Sequence, residues 1–71
     1  MAICRNGIGS LTPTEQKVLR LLAKGHSRLH MSGILGVTIN TVETHITNIY
    51  KKYGVRNAVQ AVLCGQELGD L

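Results

Sequence analysis

Asn40, Glu43, Thr44, Thr47 and Lys51 are the residues of this chain whose types and spacing could do chemistry together. Set three or four positions apart, they share one face wherever the segment is helical. Most are short, and the amide and hydroxyl groups both donate and accept hydrogen bonds. An ordinary solvated helix face is longer and more charged. A face of this kind suits the reading of a hydrogen-bonding partner, and nucleic-acid base edges are the first candidate.

The element that must position them is legible in the same stretch. Val42, Ile46, Ile49, Tyr50 and Tyr53 recur at i, i+4, i+7, i+8 and i+11, one apolar helical stripe opposite the polar face. Thr38 can cap this helix and Gly54 can close it. Upstream, Thr12-Pro13-Thr14-Glu15 reads as a helix start with a capping box and Pro at the first helical position. Val18, Leu19, Leu21, Leu22 and Ala23 then give an apolar face, and Gly25 stops the helix. Ser27 caps a shorter helix with Met31, Ile34 and Leu35 inward, ended by Gly36. Asn57 opens a last helix with Val59, Val62 and Leu63 inward, while Gly65 and Gly69 suggest a frayed tail.

The expected fold is therefore all-α, with helices at about 13–24, 28–35, 39–53 and 57–66 and no strand signal. Residues 1–10 contain no usable period and read as a loose arm or linker. The domain itself is expected over 11–71. The second and third helices meet across Gly36-Val37-Thr38, a short Gly-containing turn of the helix-turn-helix kind, although any helical hairpin could look similar.

Size and composition narrow the function. A chain of 71 residues without Trp or Phe makes one small helical domain, and it lacks the walls of a deep enzyme pocket. No paired carboxylates, activated nucleophile or phosphate-cradling Gly motif is present, so enzyme activity is not expected. The net charge of +4 fits a polyanion partner. Lys17, Arg20 and Lys24 follow one helix side, and Lys51, Lys52 and Arg56 cluster at the end of another. Either group could be a solubilising face; together with the polar face they read better as phosphate clamps. Cys4 and Cys64 form no CxxC, and Cys64 reads as a small apolar residue. His26 and His30 lack a third ligand, so neither metal nor cofactor is expected. With no secretory signal or spanning segment, the expected location is a reducing cytoplasm.

The motif Leu11-Thr12-Pro13-x-Glu15-x-x-Val18-Leu19-x-Leu21-Leu22-Ala23-x-Gly25-x-Ser27 resembles the opening of the LuxR-type helix-turn-helix family. That family includes GerE and the output domains of NarL- and FixJ-like response regulators. The likeness continues through Leu35-Gly36-Val37-Thr38, Thr41-Val42-Glu43-x-His45, Asn48-Ile49, Lys52-x-Gly54-Val55-Arg56-Asn57 and Ala61-Val62. It implies a four-helix domain that binds double-stranded DNA, usually as a homodimer, and regulates transcription at the bacterial nucleoid, with RNA polymerase as a further partner. The bihelical motif would span about 28–47. The third helix would enter the major groove, with Glu43, Thr44 and Thr47 facing bases and Asn40, Thr41 and Lys51 near phosphates. The fourth helix would supply the dimer contact. Departures from the family pattern are His30-Met31-Ser32 and Gly33 in the second helix, Thr44 where Val is common, and Asn40 where Lys is common.

Each candidate has a competing role. The Glu43 carboxylate can accept from a cytosine N4 amino group, or simply be solvated. Thr44 and Thr47 can contact bases directly or through water, or bond back to the preceding turn. Asn40 and Thr41 lie where a helix N-terminus attracts phosphate, yet Thr41 also suits a purely capping role. Lys51 is the preferred phosphate contact, with Lys52 on its flank. His45 reads as a packed structural residue. Ala58, Ala61, Val62 and Gly65 form a small-residue face that a twofold partner could approach closely. Two other functions compete: a sigma-factor region that binds promoter DNA, and a protein-interaction module that kept the fold without DNA binding. Steep salt dependence marks DNA binding and is not expected of apolar protein association.

Overall fold

The computed structural model describes residues 11–71; the expected arm at 1–10 lies outside the described residues. Four helices follow in order: α1 (Pro13–Ala23), α2 (Arg28–Leu35), α3 (Ile39–Tyr53) and α4 (Ala58–Leu68). Each begins at the expected polar cap. The Thr12 hydroxyl accepts from the Glu15 N–H at 3.2 Å, and the Thr12 N–H donates back to Glu15 Oε1 at 2.9 Å. Ser27, Thr38 and Asn57 accept in the same way from the third residue of α2, α3 and α4. Such caps hold orphan N–H groups and contribute about 1 kcal/mol each. The turns on either side of α3 use Gly36 and Gly54 in the left-handed region, at φ 69° and 70°. That conformation is costly for a side chain with a Cβ, so these two glycines fix where α3 starts and stops.

The core is built around α3. Its Val42, Ile46, Ile49 and Tyr53 are buried, and Val18 and Leu19 of α1, Met31 of α2, and Ala61 and Cys64 of α4 close over them. Each Val, Leu or Ile so placed contributes roughly 1.5–3 kcal/mol. Cys64 is buried in the core and is not a free thiol. Helix α2 packs principally on α3. Met31 and the half-buried Leu35 suffice for that contact, so Ile34, expected inward, is instead 51% exposed.

Helix α4 departs most from expectation. Val59 and Leu63, expected inward, are 71% and 52% exposed, while Ala61, Cys64 and Gly65 face the bundle. Small residues let α4 lie close to α1: a Cβ at Gly65 would stand 2.7 Å from Leu19 Cδ2. The helix also runs through Gly65 to Leu68 rather than fraying. The chain then folds back, with the Asp70 N–H donating to the Gly65 carbonyl at 2.8 Å and the Tyr53 hydroxyl donating to Asp70 Oδ2 at 2.5 Å. Burial, reinforced by that carboxylate, pushes the Tyr53 phenol well above its ordinary value.

Candidate nucleic-acid interface

Helix α3 separates its two faces cleanly. Its apolar stripe is buried except for the half-buried Tyr50, and Asn40, Glu43, Thr44, Thr47 and Lys51 are all exposed on the other side. The sequence-expected candidates are thus brought to one outward surface about three turns long.

Local bonding sets what each side chain presents. The Thr44 hydroxyl donates to the Asn40 carbonyl at 3.0 Å, the back-bonding alternative weighed above. With its proton so directed, Thr44 offers outward a methyl group and an acceptor oxygen, which suits a thymine methyl or a base amino group. Thr41 is half-buried; its N–H donates to Thr38 Oγ1 at 3.2 Å, and the two hydroxyls lie 3.0 Å apart. Its N–H and hydroxyl are therefore engaged with the Thr38 cap, and the exposed Asn40 beside it is the better placed for an anion. Lys51 is exposed in the last turn of α3, where a cation also complements the negative helix end. His45 is half-buried between stripe and polar face, as expected of a packed residue.

Two expected contacts are placed otherwise. Lys52 Nζ donates to Glu15 Oε1 at 2.6 Å, and Glu15 is only 4% exposed. Its ammonium thus ties the end of α3 to the start of α1, which corrects its reading as a phosphate contact. Burial alone would raise the Glu15 carboxyl, but the Lys52 ammonium and the Thr12 N–H outweigh it and hold the group below its ordinary value. The small-residue face is the second correction. Ala61 and Gly65 are buried against α1, so they cannot meet a partner; the close approach they permit is used inside the domain. Ala58 and Val62 remain half-exposed and line an apolar groove with Leu22, Ala23, Val59, Leu63 and Gln66.

Sequence reasoning passed over one residue at this surface. Arg28, the first residue of α2, forms an ion pair with Glu43 through its Nε and Glu43 Oε1. The available signal was local: a cation in the first turn of a helix, with no acid there to balance it. His26 and His30 also meet, with their Nδ1 atoms 2.9 Å apart. Among the described residues, no group of three or more metal-ligating side chains is assembled. Nor is any helix among them long and apolar enough to cross a membrane.

Comparison with known proteins bears on the same residues. Residues 9–64 match the model of the family described as bacterial regulatory proteins, luxR family. A protein of Mycobacterium bovis described as an HTH-type transcriptional regulator is 46% identical over 56 residues, 79% of this chain and 6% of that protein. The transcriptional activator protein YukR of Yersinia ruckeri is 41% identical over 63 residues, 89% of this chain and 28% of that protein. The chain therefore spans a small part of the length of these relatives. Among solved structures, a Vibrio cholera VqmA–ligand–DNA complex matches with a TM-score of 0.78 and 27% identity, over 93% of this chain and 29% of that one.

Proposed function

The chain belongs to the luxR family of bacterial regulatory proteins, and from that premise we propose that it is a sequence-specific, double-stranded DNA-binding domain of a transcriptional regulator, with α3 in the major groove. The observation that carries this reading is the outward face of α3. Five side chains able to meet bases or phosphates stand exposed there, on a helix fixed from behind by its buried stripe. Rigid support matters, because base readout requires hydrogen-bonding groups held in place. Glu43, Thr44 and Thr47 face the bases, and Asn40 and Lys51 flank them on phosphates. Thr41 supports this row from beneath through its bond to the Thr38 cap. The VqmA structure with DNA supports the same use of the fold.

The functional unit in this reading is a homodimer. Its contact is the apolar groove of Leu22, Ala58, Val59, Val62 and Leu63, in place of the small-residue face. Two copies joined there present two recognition helices to half-sites about one DNA turn apart. RNA polymerase is a downstream partner of such a regulator.

Selection from a random double-stranded pool at roughly physiological salt, followed by sequencing of the bound fraction, tests the reading. Enrichment of an inverted repeat is the expected result. No enrichment and no salt-sensitive retention would leave the protein-interaction module as the better description.

A further inference from the structure

Resting on that reading of α3, we infer that Arg28 and Glu43 act as one reading unit, with Arg28 the residue that positions the Glu43 carboxylate against DNA and offsets its charge. Of the four acidic side chains in the sequence, Glu43 is the one on the outward face of α3. Glu15 is buried with Lys52, while Glu67 and Asp70 belong to α4 and the tail. A lone carboxylate at a duplex surface is repelled by the phosphates on either side. A guanidinium bonded to it removes most of that repulsion and fixes its direction.

The geometry divides the work. Arg28 Nε engages Glu43 Oε1. The second carboxylate oxygen can then accept from a base amino group, cytosine N4 being the fit. The guanidinium has five N–H donors, and those on its terminal nitrogens can reach a phosphate while Nε keeps Glu43. The pair also joins the two helices of the motif, since Arg28 opens α2 and Glu43 lies on α3. Stability does not explain it: the side chains are 44% and 50% exposed, and ion pairs that open to water contribute little to folding. Arg28 also occupies the helix end where a cation is disfavoured. A residue that breaks a local rule without structural gain points to function.

The test uses the full chain and the duplex it selects, with every base substituted in turn at each half-site position. Affinities are measured for wild type, Arg28→Ala, Glu43→Gln, the double variant, and Lys51→Ala as a phosphate control. Arg28→Ala is expected to lower discrimination about tenfold at the same base pair as Glu43→Gln, with preferences elsewhere unchanged. The double variant should lose no more there than either single one, since coupled residues are not additive. A merely structural defect would not single out one base pair. Uniform weakening across all duplexes by Arg28→Ala, as for Lys51→Ala, with the Glu43-dependent preference intact, would overturn the inference and leave the α3 reading standing. Additive losses would overturn it equally. A wild-type chain that prefers no duplex would remove the α3 reading itself, and this inference with it.

Discussion

The outer faces of α3 and α4 are both exposed, yet they are chemically opposite. On α3 the outward residues are an amide, two hydroxyls, a carboxylate and an ammonium. On α4 they include Val59 and Leu63, which stand out beside the half-buried Leu22 and Val62. The first face gains nothing from an apolar partner, because every group on it would lose water without replacement. The second gains from burial alone. One small domain thus carries two surfaces that cannot exchange partners, and the proposed division assigns DNA to α3 and a second copy to α4.

The sharpest way to break this division is Leu63→Asp, which puts a charge in the α4 groove while leaving the core untouched. Gel filtration should show loss of dimer. Affinity for an inverted repeat should fall by about 100-fold or more, the scale of avidity lost when two linked sites become one. Single half-site affinity should barely change. Equal losses on half-site and full site would mean that α4 does not join two copies.

Glu15→Ala removes the tie between the start of α1 and the end of α3. Loss of the capping bond and of the partly buried pair with Lys52 should cost about 2 kcal/mol in thermal or denaturant unfolding, with base preference unchanged. Its pH dependence is fixed in sign. The folded Glu15 carboxyl is held below its ordinary value of 4.5, so its contribution is present above that pH and is lost as pH falls through the lower folded value. Glu15→Gln should flatten that acid limb. A steeper acid limb in the variant would contradict the pairing.

Smaller effects resolve the α3 face itself. Thr47→Ala should change preference at particular base pairs by about 1 kcal/mol in a binding panel. Lys51→Ala should weaken binding to all sequences alike and reduce the slope of log affinity against log salt by about 0.9, one phosphate's share. If the two variants behaved alike, readers and clamps would not be separate on this helix.

How much of this was legible in the sequence differs between the same two helices. In α3, apolar and polar residues alternate with helical period, so one reading of Val42, Ile46, Ile49 and Tyr53 fixes both what is buried and what is presented. The caps at Thr12, Ser27, Thr38 and Asn57 were equally local and set four helix starts. In α4 the run Ala58-Val59-Gln60-Ala61-Val62-Leu63-Cys64 is apolar nearly all round, and hydrophobicity cannot choose a face. Size chooses it: close approach to Leu19 demands the small side of the helix, a constraint imposed by α1. That small residues allow close approach was readable; which neighbour makes the approach was not. Lys52 was misplaced for a similar reason. Its partner Glu15 lies 37 residues away in sequence, and only the packing of α1 on α3 brings them together. Arg28 and Glu43 meet across two helices in the same manner.

A backbone amide titration by NMR tests the division of labour most directly. Isotope-labelled chain is observed first over a range of protein concentrations without DNA, then with increasing amounts of the selected duplex. Self-association should move signals around Val59 and Leu63, and the duplex should move those from Ile39 to Lys51 together with Arg28. A duplex that shifts the α4 groove and leaves the α3 face undisturbed would contradict the account.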